Sequence, residues 1–216
     1  MNQKTLLVII ASVAMVAGYW FSSNLKKPAP EAILKQMTQT ESEIQGFVLD
    51  PARSISMPPL RKDDGSLFIN DDLKDHWSLL FFGYTHCPDI CPATMNVLAQ
   101  SLKRAKDQKI TFPEVFFISV DPQRDSVEML GEYVRYFDPS FRGVTGEPNT
   151  IEALTLQAGV VFMQTPVSSE NKDDYLVDHS SSILLISPEG KLKAYLKPPH
   201  TAEGILKSLK TVTEDS

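Results

Sequence analysis

The sequence predicts an α/β domain of three layers, in which helices cover both faces of a buried sheet. Two short segments, residues 77–83 and 115–120, are almost continuously apolar, which is typical of strands buried on both faces. Between them, residues 93–106 carry apolar side chains at helical spacing. Strands and helices that alternate in this way favour a parallel-containing sheet with helices packed against it.

Weaker signals extend the same pattern toward both ends of the domain. FVLD at 47–50 and SLFI at 66–69 are short β candidates, and with the turn signal DDG at 63–65 they predict an N-terminal β-hairpin. A capping-box pattern at 125–128 predicts a helix start. The remaining predicted elements are helices to about residue 137, over 150–158 and over 205–212, and strands at 183–187 and 192–196.

Composition and charge narrow the class of protein. The chain has 216 residues, of which 42% are hydrophobic and 22% charged, as in an ordinary globular protein. Lys and Arg total 21 against 27 Asp and Glu, a formal charge of −6, and there is no basic run. Nucleic-acid binding is therefore not expected, because phosphate contacts need clustered basic side chains.

The N-terminus carries an uncharged stretch from Thr5 to Ser23. At ~1.5 Å per residue this stretch is about as long as the ~30 Å hydrocarbon core of a bilayer. It predicts a single transmembrane helix, with a cleaved signal peptide or a buried core helix as the alternatives. The predicted organisation is an anchor at 1–23, a polar linker at 24–45, the domain at 46–212 and a tail at 213–216.

The two cysteines of the chain, Cys87 and Cys91, follow the first predicted buried strand. Pro92 is tolerated only in a first helical turn, so a helix is expected to begin near Cys91. The unpaired N–H groups at a helix start favour thiolates and lower the pKa of a cysteine. An inert disulfide or a pair of buried hydrophobes is the alternative, but the polar loop is expected to be exposed.

Three segments in order resemble one family. These are GYTHCPDICPATM at 83–95, SVDPQRDS at 119–126 and YLVDHSSSILLISPEG at 175–190. They are similar to motifs of the Sco/SenC family of thioredoxin-like, copper-binding assembly proteins, and the likeness covers about residues 46–210. The departures are Ser182-Ile183, where an aromatic residue often follows, and Asp75-His76, where a Gly-Lys turn is usual.

The resemblance implies that one copper ion is bound by Cys87, Cys91 and His179. It also implies copper delivery, or thiol reduction, during assembly of the dinuclear copper centre of cytochrome c oxidase, with the copper-site subunit or another copper acceptor as partner. Two thiolates and an imidazole are soft donors suited to copper, Cu(I) or Cu(II), and especially to Cu(I). Asp178 is a candidate to orient the histidine from behind.

The predicted anchor and the cysteine pair together indicate the cellular location of the domain. The basic residues Lys4, Lys26 and Lys27 are nearly balanced across the predicted span, so charge does not decide its orientation. The leader lacks arginine, unlike a mitochondrial transit peptide. Because a reversible dithiol suits an exported domain, we expect a bacterial inner-membrane protein with a cytoplasmic N-terminus and a periplasmic domain.

Other functions remain open at this point. The Cys87/Cys91 pair could serve as the redox pair of a thiol–disulfide oxidoreductase without metal, alone or beside copper binding, so enzyme activity is not decided. Catalytic zinc is a weaker alternative because no HExxH pattern is present. A peroxidase is weaker still.

Of the other histidines, His76 and His200 are expected at the surface, and His86 is expected to be an ordinary side chain, with tuning of the Cys87 pKa as the alternative. Asp121, Arg124 and Asp125 are expected to brace the turn and cap the helix. The methionines expected to pack in the core are Met57, Met95, Met129 and Met163.

Overall fold

The computed structural model describes residues 44–167 and 175–214. Within these ranges the strands are β1 (Gly46–Ser54), β2 (Leu60–Lys62), β3 (Leu67–Phe68), β4 (Ser78–Gly83), β5 (Glu114–Ser119), β6 (Arg142–Thr145), β7 (Phe162–Pro166), β8 (Tyr175–His179), β9 (Ile183–Ile186) and β10 (Lys191–Leu196). The helices are α1 (Ile90–Gln108), α2 (Val127–Phe137), α3 (Pro148–Ala158) and α4 (Ala202–Glu214), with a 3₁₀ turn at Asn70–Leu73.

Eight strands form the main sheet, in the order β1-β10-β9-β4-β5-β6-β2-β3. Strands β4, β5 and β6 run parallel, while β9 and β10 are antiparallel to their neighbours. Every residue of β4 is buried. Because successive side chains of a strand point to opposite faces, both faces of the sheet are covered, which confirms the predicted layered α/β architecture.

The N-terminal β signals lie at opposite edges of this sheet. FVLD belongs to β1, which pairs with β10 at one edge. The hairpin consists of β2 and β3, joined through the predicted turn, and β2 pairs with β6 at the other edge. The prediction of a hairpin is therefore right for β2 and β3 but does not include FVLD, whose partner is supplied by the C-terminal half of the chain.

Helix α2 begins one residue later than the predicted capping box implies. Ser126 is the N-cap, and its hydroxyl accepts a hydrogen bond from the N–H of Met129. Asp125, the residue expected to cap, is buried and engaged elsewhere. Because Ser126 caps the helix, the Asp125 carboxylate accepts hydrogen bonds from Thr85 and Ser119 instead.

A separate two-stranded ribbon, β7–β8, carries the histidine. The sequence places His179 in a connection before β9, whereas the structure makes it the last residue of β8, opposite Phe162. Tyr175 and Val177 on the same face are buried, while Leu176 and Asp178 on the other face are exposed. The alternation of the strand therefore turns the His179 ring toward the core.

The predicted membrane anchor, residues 1–23, and nearly all of the predicted linker lie outside the described residues. Among the residues that are described, no helix combines the length and the apolar character needed to cross a bilayer.

Candidate metal centre

The two cysteines lie where β4 gives way to α1. A turn in which the Cys87 N–H donates to the Tyr84 carbonyl (3.2 Å) leads the chain away from the sheet. Helix α1 begins at Ile90, so Cys91 lies in its first turn, as Pro92 predicts. The backbone N–H of Cys91 points at the Cys87 sulfur at 3.5 Å. One of the unpaired N–H groups of the helix start is thus directed at a sulfur.

His179 completes a cluster of three donor atoms. Its Nε2 lies 3.2 Å from the Cys91 Sγ, although 88 residues separate the two in the chain. The ligand atoms of Cys87, Cys91 and His179 all lie within 4.8 Å of one another. Neither cysteine is in a disulfide. The structure thus brings together the three residues that the resemblance implies as ligands.

Both sulfurs are less accessible than the sequence suggests. Cys91 is fully buried and Cys87 is 9% exposed, whereas Pro88, Asp89 and Ile90 between them are exposed. The expectation of an exposed loop is therefore right for the loop residues and wrong for the cysteine side chains. These three residues face outward and the cysteines inward because the two ends of the loop are fixed by β4 and α1.

Glycine at position 83 is required by the close approach of Cys91. A Cβ at this position would lie 2.7 Å from the Cys91 Sγ and 2.8 Å from the Phe117 ring. Both neighbours belong to packed elements, so a side chain here would displace a sulfur of the cluster. The sequence signal for this role is the glycine that ends the apolar run, which we did not single out.

The two thiols differ strongly in acidity. A hydrogen bond from the Cys91 thiol lowers the pKa of Cys87 to about 3, with further help from the His179 ring, against the opposing effect of burial. The same hydrogen bond, burial and the adjacent Cys87 sulfur raise the pKa of Cys91. At neutral pH the pair therefore holds a thiolate at Cys87 and a thiol at Cys91, and binding a metal to both sulfurs releases the second proton.

Asp125 fixes the loop between β4 and α1, which carries Cys87. Its buried carboxylate accepts hydrogen bonds from the Thr85 N–H (3.0 Å), the Thr85 hydroxyl (2.6 Å) and the Ser119 hydroxyl (2.6 Å). The loop after β4 is thus tied to the end of β5. Since a buried carboxylate is tolerated only where it is fully hydrogen-bonded, the arrangement determines the position of Thr85, two residues before Cys87.

Arg124 connects the cysteine side of the site to the histidine side. Its guanidinium pairs with buried Asp121, lies 3.6 Å above the Tyr175 ring and donates to the Tyr175 carbonyl at 3.0 Å. Tyr175 in turn donates to Asp121 at 2.7 Å. On the other side, the Tyr84 hydroxyl accepts from the Val177 N–H at 3.2 Å. These contacts hold the ribbon against the cysteine loop, and so set the distance from His179 to the sulfurs.

The motif at 119–126 was expected to brace a turn, and the structure assigns it this wider positioning role. The two tyrosines that complete it, Tyr84 and Tyr175, were not singled out from the sequence. Each precedes a predicted ligand by three or four residues, which is the signal that was available.

Asp178 lies on the side of the ribbon that faces away from the sulfurs. Its carboxylate accepts from the Thr165 hydroxyl at 3.0 Å. The Nδ1 of His179 lies 3.1 Å from the Ser180 carbonyl instead. A contact of this kind fixes the orientation of a ligand imidazole, and in this structure it is made by the Ser180 carbonyl.

His86, His200 and the four methionines named above differ in how far they are exposed. His86 is exposed beside the loop, with its Nδ1 3.1 Å from the Thr85 hydroxyl. His200, expected at the surface, is partly buried and its Nε2 lies 2.8 Å from the Ser181 carbonyl. Met57 and Met95 are buried as expected, whereas Met129 and Met163 are exposed, which corrects the expectation that all four are core residues.

The model of the SCO1/SenC family matches residues 59–214. The chain belongs to the SCO1/SenC family. The resemblance inferred from three motifs is thereby confirmed, and with it the thioredoxin-like α/β fold.

Three relatives show how far the likeness of this SCO1/SenC protein extends. It is 38% identical over 146 residues to the mitochondrial SCO1 homolog 1 of Arabidopsis thaliana, a match that covers 68% of this chain but only 43% of that protein. It is 32% identical over 209 residues to the mitochondrial SCO2 homolog of Bos taurus, covering 96% of this chain and 74% of the relative. The structure is similar to the crystal structure of Arabidopsis thaliana ScoI with copper bound, with 32% identity and a TM-score of 0.68. The match covers 80% of this chain and 99% of that chain.

Proposed function

We infer that this protein is a copper carrier that assists assembly of the dinuclear copper site of cytochrome c oxidase. The copper ion is held by Cys87, Cys91 and His179, and its acceptor is the copper-site subunit of the oxidase or another copper protein. The observation that carries the proposal is the convergence of these three side chains, within 4.8 Å, from two separate parts of the chain. The copper-bound structure of the Arabidopsis relative supports the same conclusion.

The donor set fits copper as a cargo. Two sulfurs and one imidazole nitrogen are soft donors, and three donors leave the coordination of Cu(II) incomplete. An acceptor ligand can therefore join before a ligand of this protein departs. The clamp formed by Arg124 holds the ribbon that carries His179 against the loop that carries Cys87, so the imidazole and the sulfurs are kept close together although they come from two parts of the chain.

A thiol–disulfide oxidoreductase is the second candidate, and the acidity of Cys87 favours it. A thiolate at Cys87 beside a neutral thiol at Cys91 is the arrangement that attacks a disulfide and then resolves the mixed disulfide. Dithiol reduction and copper binding use the same sulfurs, so both activities are compatible in one protein. The position opposite the cysteines is occupied by a histidine, a metal donor, which favours copper as the main function.

Copper binding is expected to depend on the redox state of the cysteine pair. The reduced protein should take up copper, and the protein oxidised with diamide should bind little until a reductant is added, because a metal requires both sulfurs as thiolates. The measurement is a copper titration of the two forms, followed by dithiothreitol treatment of the oxidised sample. Equal affinity in both redox states would mean that the cysteines are not ligands.

We further propose that residues 1–23 anchor the protein in a bacterial inner membrane, that residues 24–45 are a linker, and that the domain at 46–212, followed by a short tail at 213–216, lies in the periplasm. The support is the uncharged, apolar composition of residues 5–23. Protease added to intact spheroplasts should digest the domain while a cytoplasmic marker protein survives. Protection of the domain in intact spheroplasts, with digestion only after lysis, would contradict this orientation.

A further inference from the structure

A groove of about 500 Å³ opens beside the cysteine loop, between that loop and helix α2. One of its lining residues, His86, directly precedes Cys87. The side chains that line its two sides include Thr85, His86 and Pro92 on the loop and first turn of α1, and Met129, Glu132 and Tyr136 on α2. A protein that exchanges a metal or a disulfide with Cys87 contacts the loop that carries this residue, and the groove borders that loop.

The groove exposes large apolar side chains of helix α2. Tyr136 is 83% exposed and Met129 is 40% exposed. Large aromatic and methionine side chains are over-represented at the centres of protein interfaces, where they contribute much of the binding free energy. An exposed tyrosine and methionine beside the loop that carries Cys87 are therefore suited to contact a partner protein.

The charged side chains around the groove are mainly acidic. On the bordering segments 84–92 and 126–133, the charged side chains at the surface are Asp89, Glu128 and Glu132, and no lysine or arginine is exposed there. Arg135, the next basic residue along α2, is paired with Asp63 at 2.7 Å. An acidic rim of this kind attracts a basic partner and repels an acidic one.

We propose that this groove is the docking site for a basic segment of the partner protein, in which a large apolar side chain is flanked by lysine or arginine. The inference rests on the proposed function in so far as a partner must reach Cys87. It adds the side from which that partner approaches and the charge that the partner carries. The apolar side chain contacts Tyr136 and Met129, and the flanking basic groups lie against Glu128 and Glu132.

A thiol-exchange assay tests the docking site without requiring copper. The probes are two short peptides, each with a methionine and with a cysteine blocked as its mixed disulfide with thionitrobenzoate; lysines flank the cysteine in one and glutamates in the other. Cys87 attacks the peptide sulfur and releases the coloured thionitrobenzoate, and Cys91 then displaces the peptide thiol. The protein dithiol loses two electrons and two protons, and the probe disulfide becomes two thiols.

The readout is the ratio of the rate with the basic probe to the rate with the acidic probe, which cancels any change in cysteine reactivity. At low ionic strength we expect a ratio of about tenfold or more, falling toward unity as salt is added. Glu132→Lys should reduce the ratio several-fold, and Tyr136→Ser should slow the basic probe.

The matched control lies on α3, where Glu152 and Leu156 are exposed in the same way. Glu152→Lys changes the net charge by the same amount as Glu132→Lys, and Leu156→Ser removes another exposed apolar side chain. Both control variants should keep the parent ratio. An equal effect of Glu132→Lys and Glu152→Lys would show that only net charge matters and would overturn the proposal.

Two other outcomes would also contradict the docking site. A parent ratio near unity at low salt would mean that the groove does not select charge. A concentration-dependent dimer in sedimentation that is lost in Tyr136→Ser would show that a second copy of this chain occupies the groove. Copper binding by the parent is measured separately, so a charge preference that persists in a protein without copper affinity would contradict the proposed function alone.

Discussion

The His179→Ala variant is expected to fold normally and to lose stable Cu(II) binding. The imidazole is the single nitrogen donor of the cluster, and its Nε2 lies 3.2 Å from the Cys91 sulfur. Two thiolates alone leave Cu(II) under-coordinated and open to reduction by the thiols. Since removal of a group behind a ligand already costs roughly 10- to 100-fold in metal affinity, loss of the ligand itself should cost more than about 100-fold.

The change is measured as loss of the thiolate-to-copper charge-transfer absorption and as weaker Cu(I) retention against a competing chelator. The disulfide between Cys87 and Cys91 should still form in the variant, because sulfur–sulfur chemistry does not need the imidazole. His76→Ala is the matched control, since His76 lies beside Glu114 at the far end of β5 and away from the sulfurs. A His179→Ala protein with the affinity and spectrum of the parent would make the metal-free oxidoreductase the better account.

The parts of the fold that the sequence predicts are those with a strong local signal. Strands β4 and β5 are continuous apolar runs because both of their faces are buried, and α1 shows a clear helical period. The strands that were not predicted lack such runs. Residues 142–145 are only four long and contain a glycine, and β7 is largely exposed and ends in proline. Their pairing depends on tertiary context rather than on local preference.

The candidate site likewise has features that the sequence predicts locally and features that it does not. The spacing of the cysteines and Pro92 places the sulfurs at a helix start, which is a local inference. No local pattern connects them to His179, 88 residues away from Cys91; only the resemblance to a family did so. The Arg124 clamp and the need for glycine at position 83 depend on contacts between distant segments, so they become visible only in the folded chain.

The burial of the sulfurs has no local signal in the sequence, for a related reason. Pro88 and Asp89 predict an exposed loop and are themselves exposed, but the neighbouring cysteines are buried. In the fold, the loop is anchored at Thr85 by Asp125 and at Ile90 by the start of α1, which turns Cys87 and Cys91 inward. The orientation of a side chain in a short loop is determined by such anchors rather than by the polarity of its neighbours.

The Cys87→Ser variant is expected to lose copper almost completely. Cys87 is the thiolate of the pair at neutral pH, because the Cys91 thiol donates a hydrogen bond to its sulfur. A serine hydroxyl is a poor ligand for copper, and the remaining donors are a buried thiol whose pKa is raised and one imidazole. Met95→Leu is the matched control, because it removes another fully buried sulfur from α1 while leaving the donor set intact.

The most direct test of the central claim is therefore metal analysis of the reduced protein after it has been offered copper and zinc together. We expect about one copper per chain and little zinc in the parent and in Met95→Leu, because two sulfurs and an imidazole favour copper over zinc. We expect far less copper in Cys87→Ser. Retention of copper by Cys87→Ser, or a parent protein that takes up zinc in preference to copper, would show that the three-donor cluster is not a copper site.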